Sequence, residues 1–381
     1  MINLGGTFRA VTPEESLQRI APLLWNPFQI TRVANVTGLD SIGIYTYVAM
    51  RPNTKSLSST QGKGITPELA KISAIMEAVE MWHAEHLPPP DLCGSYNTLK
   101  KKYNLYPIEL HQQHISREFY FPTILDQEMD WLRAEELNSG KTMYVPSCLI
   151  NLDYTRFSPA SLCLHPSSNG LASGNTLEEA TCHGLYEVIE RQCEAEAIAP
   201  FKKLSVVNLA ECTSPHLQCL LKKIADSDHI ITVYDMTNNI NLPAYQAVLD
   251  HSSIRSLANF IGSGAHFLPS VAISRAITEA AQTRLTHING TRDDLYPSAY
   301  QRAKTYQGKL HYDHQTMISY REDFAIPQTF QACLTETLNL LKKQGIDIVI
   351  RYNHTRKEWG IPVVHMLVPG LKFNAGFHTN E

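Results

Sequence analysis

The stretch Gly62–Glu85, GKGITPELAKISAIMEAVEMWHAE, constrains the fold more than any other part of the chain. Thr66 is suited to cap a helix and Pro67 to open one, and the pattern predicts a helix over Pro67–His86, stopped by LPPPD. Ser73, Glu77 and Glu80 recur at i, i+4 and i+7 and so share a face. Between them lie Ile72, Ile75, Val79 and several alanines. Taken singly, such a helix reads as a solvated face. Its apolar and small residues speak instead for burial, and a buried carboxylate needs a partner or a cation.

Two further stretches repeat the style. In SSNGLASGNTLEEATCHGLYEVIERQCEAEA, residues 167–197, Glu179, Glu187 and Glu190 fall near one helical face, among Leu185, Val188 and Ile189, and Arg191 follows. In GSGAHFLPSVAISRAITEAAQTR, residues 262–284, Arg275, Glu279 and Gln282 sit at i, i+4 and i+7 beside Ile273 and Ile277. Each helix is preceded by glycines, which we read as loops that let backbone N–H groups approach an anion.

Mg2+ suits these donors, because it takes carboxylate oxygens together with substrate phosphates. Ser73, Asn169, Asn175 and Gln282 can complete its shell or bind ribose and phosphate. Arg191, Arg275 and Lys63 can offset phosphate charge. The chain has neither a Walker A pattern nor a kinase glycine loop. His183 and His266 are general-base candidates, although a lone histidine beside a motif more commonly has a structural role. HAEH at His83–His86 offers a metal pair with no indicated third ligand.

With 33 basic and 37 acidic residues, the chain lacks the basic footprint of a nucleic-acid binder. No apolar run reaches the length of a membrane span, and MINLGGTFRA does not read as a signal peptide. The eight cysteines form no C-x-x-C pair, which fits reduced thiols and a cytoplasmic location.

Elsewhere, the pattern predicts a helix over Pro13–Leu24 and a strand, turn and strand over Thr31–Ala49. RPNTKSLSSTQGKGIT reads as a polar loop. Tyr96–Tyr154 reads as mixed, with strands near Tyr120 and Val145. Leu204–Asp250 reads as a helix, a strand at His229–Asp235, a turn at Thr237–Ile240 and another strand. IGSGAHFLPS reads as a glycine loop and Arg292–Pro327 as irregular. A helix near Phe330–Gln344 and strands at Asp347–Tyr352 and Pro362–Leu367 complete an α+β expectation: mixed sheets, with helices packed around an ATP cleft.

SSNGLASGNTLEEATCHGLYEVIER, GKGITPELAKISAIMEAVE and GSGAHFLPSVAISRAITEAAQTR resemble the three signature regions of the YcaO family. The resemblance runs from about Gly5 to Leu371. It implies a single domain over 1–381, with subdivision near 87–95 and 200–205. It further implies ATP- and Mg2+-dependent activation of a peptide backbone amide: a nucleophile adds to the carbonyl carbon, the oxyanion takes the γ-phosphoryl group, and phosphate leaves. Carried over by residue, the resemblance makes Glu77, Glu80, Glu187 and Glu190 metal ligands. Glu187, Glu190 and Arg191 become the catalytic set, and Ser73, Asn169, Glu179, Arg191, Glu279 and Gln282 nucleotide contacts. Arg9 in GGTFRAVTPEE is the counterpart of a basic residue near the phosphates.

Azoline-forming members usually end in a proline-rich tail, whereas this chain ends GLKFNAGFHTNE. GTFRAVTPEESLQRI and GIPVVHMLVPGL are similar to stand-alone members that pair with a TfuA protein, which implies thioamide formation with a TfuA-like sulfur-delivery partner. A peptide or protein substrate, a leader-binding partner and a homodimer are further expectations of the resemblance. An azoline or amidine former, and a nucleotide-binding scaffold without chemistry, are the competing readings.

Overall fold

The computed structural model describes residues 1–111, 124–156, 158–162, 164–198, 203–251, 259–297, 300, 312–322 and 326–372. The strand expected near Tyr120 lies outside these residues. In the N-terminal part the strands are β1 Ile2–Asn3, β2 Phe8–Arg9, β3 Arg32–Asn35, β4 Tyr45–Met50 and β5 Ser59–Gly64. Then come β6 Leu92–Ser95, β7 Glu128–Glu136, β8 Thr142–Pro146 and β9 Leu171–Ser173. The remainder are β10 Leu204–Asn208, β11 His229–Asp235, β12 Ala244–His251, β13 Phe260–Ala265, β14 Tyr312–Ser319, β15 Ile350–Asn353 and β16 Val363–Leu367. The longer helices are α1 Pro13–Ile20, α2 Pro67–Glu85, α3 Leu177–Ala197, α4 Pro215–Asp226, α5 Pro269–Asn289 and α6 Phe330–Lys343. No helix is long and apolar enough to cross a membrane among the described residues.

The chain divides into two compact units, Met1–Val79 with Glu196–Thr329, and Glu80–Ala195 with Phe330–Glu381. The divisions fall inside α2 and α3 and at the start of α6. In the first unit, β3–β4–β5 is antiparallel, and a five-stranded sheet runs β13–β12–β11–β10–β14. Only the β10–β14 edge of that sheet is parallel. Its core joins Leu217, Leu220 and Ile224 of α4 to Val233, Ala247 and Leu249 of the sheet and to Ile273, Ala276 and Ile277 of α5. In the second unit, an antiparallel sheet runs β6–β7–β15–β16–β9, and β8 also pairs with β7. Trp131, Leu132, Val145, Ile150, Ile350 and Tyr352 centre its core.

The structure corrects two of the loops. Ser59–Gly64 is strand β5, paired along its length with β4. Phe260–Ala265 is strand β13, paired with β12. Their glycines serve close helix packing, not an anion-binding loop. A Cβ on Gly62 would lie 2.0 Å from Ala74 N, and one on Gly262 would lie 2.2 Å from Ala280 N. Alternation of side chains along β5 then divides its faces. Gly62 and Gly64 lie against the backbone of α2. Gln61 and Lys63 meet α5, where Gln282 donates to Gln61 O at 2.9 Å and Lys63 pairs with Glu279.

Two further differences concern order. Leu204–Asn208 is a strand that precedes its helix, and the stretch expected to be irregular contains β14. Thr66 does cap α2, accepting the Leu69 N–H at 3.3 Å.

Candidate functional site

In the first unit, α2 presents half-buried Ser73 and Glu77, and α5 presents half-buried Arg275, Glu279 and Gln282. Lys63 sits near the end of β5 and forms an ion pair with Glu279, each side chain about one-fifth exposed. Glu77 contributes negative potential at Arg292, whose main partner is Asp294 at 2.6 Å. That pair was not legible beforehand, because Arg292–Pro327 reads as irregular polar chain.

On α5, Arg275 carries a polar atom whose chemistry fits an anion. Its Nε is buried and has no hydrogen-bond partner among the described residues. An arginine N–H shut away from water without an acceptor is costly, and a phosphate oxygen would satisfy it. Arg9, at the end of β2, belongs to the same neighbourhood: burial, Arg275 and Arg9 together lower the pKa of His266 to about 3. His266 is therefore neutral at ordinary pH. Its Nδ1 accepts the Leu268 N–H at 2.9 Å, which leaves the ring proton on Nε2. That tautomer makes the ring a donor, so His266 is not the general base the sequence offered.

In the second unit, Glu80 accepts from both the backbone N–H and the hydroxyl of Ser173, at 2.7 and 2.5 Å. Glu179 is fully buried and accepts from the Asn175 backbone N–H at 3.1 Å and from its side-chain amide. Thr176 caps α3 by accepting the Glu179 N–H. Glu179 and Asn175 thus shape the turn into α3, a structural role the spacing alone did not reveal. On α3, Glu190 is 2% exposed and Glu187 half-buried. Arg191 pairs with Glu194 one turn on, at 2.8 Å.

Asn169 is held by its main chain. His365 Nε2 donates to Asn169 O at 3.1 Å, and the Met366 N–H donates to Gly170 O at 2.8 Å. Gly170 has φ +83°, and a Cβ there would lie 2.3 Å from Met366 O, so only glycine fits. Asn169 Oδ1 is buried without a hydrogen-bond partner among the described residues.

Oxygen donors dominate this residue set, which suits a hard cation such as Mg2+. No group of three or more His, Cys, Asp or Glu is gathered into a metal site among the described residues. His83–His86 is joined by no third such ligand among the described residues, and His86 Nδ1 meets Trp82 O at 2.7 Å. Mg2+ held by one or two carboxylates and completed by substrate phosphates needs no such cluster. Among the described residues seven cysteines form no disulfide, and burial raises the Cys182 thiol well above its ordinary pKa, so it is a poor nucleophile.

Residues 61–372 match the model of a family described as "YcaO cyclodehydratase", ATP- and Mg2+-binding. A protein named from the tfuA 3' region of Rhizobium leguminosarum bv. trifolii is 34% identical over 96% of this chain and 88% of its own length. Among solved structures, a heterocyclase in complex with substrate and cofactor aligns with TM-score 0.82 and 23% identity over 96% of this chain. The chain spans about half of that protein, 53% of its length. The YcaO protein of Methanopyrus kandleri, bound with AMPPCP and Mg2+, aligns with TM-score 0.75 and 20% identity, covering 97% of this chain and 94% of that one.

Proposed function

We propose that this chain, which belongs to the YcaO family, uses ATP to exchange a peptide backbone carbonyl oxygen for sulfur, giving a thioamide. The family assignment makes it an ATP-dependent peptide-modifying enzyme with ATP and Mg2+ as cofactors. The choice of thioamide is supported by the 34%-identical relative from a tfuA region. A TfuA-like partner that delivers sulfur, a separate leader-binding partner and a homodimer belong to the same proposal.

The observation that carries the nucleotide reading is the buried, unsatisfied Nε of Arg275, which together with Arg9 acts on His266. In this reading Arg9, Arg275 and Lys63 hold the phosphates, and Glu279 keeps Lys63 in place. Ser73, Asn169 and Gln282 orient the nucleotide, and Glu179 fixes the Asn175 turn that borders it. Glu77, Glu80, Glu187 and Glu190 hold Mg2+, and Ser173 orients the Glu80 carboxylate. Arg191, steered by Glu194, faces the developing negative charge.

When bound, ATP and Mg2+ supply a phosphoryl group that converts the amide oxygen into a leaving group. Positioning and charge neutralisation are what such a transfer requires of the protein. That demand fits a site rich in glutamate and arginine, in which the buried Cys182 and the weakly basic His266 have no nucleophilic or basic part.

A specific observation keeps azoline formation as the second reading: the family description itself says cyclodehydratase. Incubation with ATP, Mg2+, sulfide and short peptides encoded beside the gene separates the two. Thioamide formation raises peptide mass by exchanging oxygen for sulfur and releases one phosphate per product. A mass decrease by one water favours the azoline reading. Phosphate release that no peptide stimulates contradicts both.

A further inference from the structure

The N-terminal ribbon is too small to hold itself in place. Among the described residues β1 and β2 pair only with each other, Ile2 opposite Arg9 and Asn3 opposite Phe8. An isolated two-stranded ribbon is marginal in water, yet Arg9 must be held still to recognise an anion.

Two contacts anchor it. Gly5 and Gly6 lie so close to their neighbours that a Cβ would come within 2.6 Å of Ile65 Cδ1 and 2.4 Å of Ser274 Oγ respectively. Next to Arg9, the Phe8 ring lies parallel to the His266 ring, with centroids 5.5 Å apart and planes 1° apart. His266 is itself rigidly set. Its backbone N–H donates to Pro243 O at 3.0 Å, its Nδ1 accepts from Leu268 N–H at 2.9 Å, and the residue is 9% exposed. Arg275 is on the helix that begins three residues later, and both Arg275 and Arg9 act electrostatically on the imidazole.

We propose that His266 is a positioning residue for Arg9: its stack with Phe8 seats the ribbon so that the Arg9 and Arg275 guanidiniums converge on one triphosphate. The proposal rests on the ATP reading above and adds a residue that touches no phosphate itself.

The test compares His266→Ala, His266→Asn and His266→Phe, with and without Arg9→Ala, for binding of AMPPCP with Mg2+ and for the KM and kcat of phosphate release. Asparagine keeps an acceptor for the Leu268 N–H, whereas phenylalanine keeps the stack. Alanine and asparagine are expected to weaken AMPPCP binding and raise KM about tenfold, the order of one charge-assisted hydrogen bond, with a smaller change in kcat. Phenylalanine should recover most of that loss, and His266→Ala should add nothing once Arg9 is gone. Phenylalanine as weak as asparagine, or losses that add in the double variant, would overturn the proposal; the first comparison stands even if His266→Ala fails to fold. A wild-type chain that does not bind AMPPCP overturns the ATP reading. Wild-type binding that His266→Ala and His266→Asn leave unimpaired overturns this proposal alone.

Discussion

Gly62→Ala is the sharpest local test of how α2 is held. The added methyl would sit 2.0 Å from Ala74 N, 2.3 Å from Ala70 O and 2.7 Å from Ala74 Cα. All three are backbone atoms, so no rotamer change relieves the clash, and strand and helix must separate by more than 1 Å to reach ordinary contact at about 3.5 Å. Replacing glycine by alanine in a strand otherwise gains a few tenths of a kcal/mol to about 1 kcal/mol, against about 3 kcal/mol for overpacking of this severity. Destabilisation therefore wins, by roughly 2 kcal/mol. At the sensitivity typical of a unit this size, that is a fall in Tm of roughly 4–8 °C. A displacement of that order in a helix carrying Ser73 and Glu77 should also lower turnover by about 100-fold. Thermal unfolding followed by circular dichroism reads the first effect and peptide-stimulated phosphate release the second. Gly38→Ala is the control, since nothing lies within 4 Å of its Cβ position. A Gly62→Ala protein with the melting temperature and turnover of Gly38→Ala would refute the close-packing argument.

Two further outcomes follow from buried polar groups. His365 and His354 are held neutral, His365 near pKa 4 by burial and His354 far below its ordinary value by burial and by His365 and His83. An unfolded chain takes up these protons near pH 6.5 while the folded one does not. Stability is thus full above about pH 6.5 and declines as pH falls toward 4. Urea midpoints should fall across that window, less steeply in His365→Gln, and a flat profile would sink the argument. Arg51, 2% exposed, donates to Phe28 O and to Ala78 O on α2. Arg51→Met strands Phe28 O, while Ala78 O keeps its helical partner, and should cost roughly 1–3 kcal/mol in urea unfolding, whereas a loss below 1 kcal/mol would show that water replaces it.

Helix α2 was legible because its signals are local: Thr66 caps it, Pro67 opens it, and Ile72, Ile75 and Val79 mark its buried side. β5 was not, for a physical reason. Ser59, Thr60 and Gln61 are polar yet 2–4% exposed, because their bonding partners belong to distant chain. Thr60 Oγ1 donates to Ala74 O, and Gln61 O accepts from Gln282. A strand whose two faces meet two helices shows no polar and apolar alternation, so it reads as a loop. The same holds for the glycines of β13, and the parallel β10–β14 edge joins segments a hundred residues apart that no local pattern links. At the site, residue types at helical spacing offered the acidic and amide candidates. The arrangement of Arg9, Phe8 and His266 could not be read, because it depends on a ribbon placed by tertiary contacts.

The account turns on carboxylates of α2 and α3 each contributing to nucleotide-dependent Mg2+ binding. Mn2+ binding followed by electron paramagnetic resonance in the presence of AMPPCP, for the wild type, Glu77→Gln and Glu187→Gln, tests this most directly. The account predicts that either substitution weakens nucleotide-dependent Mn2+ binding by about tenfold or more. Wild-type affinity in either variant would contradict it.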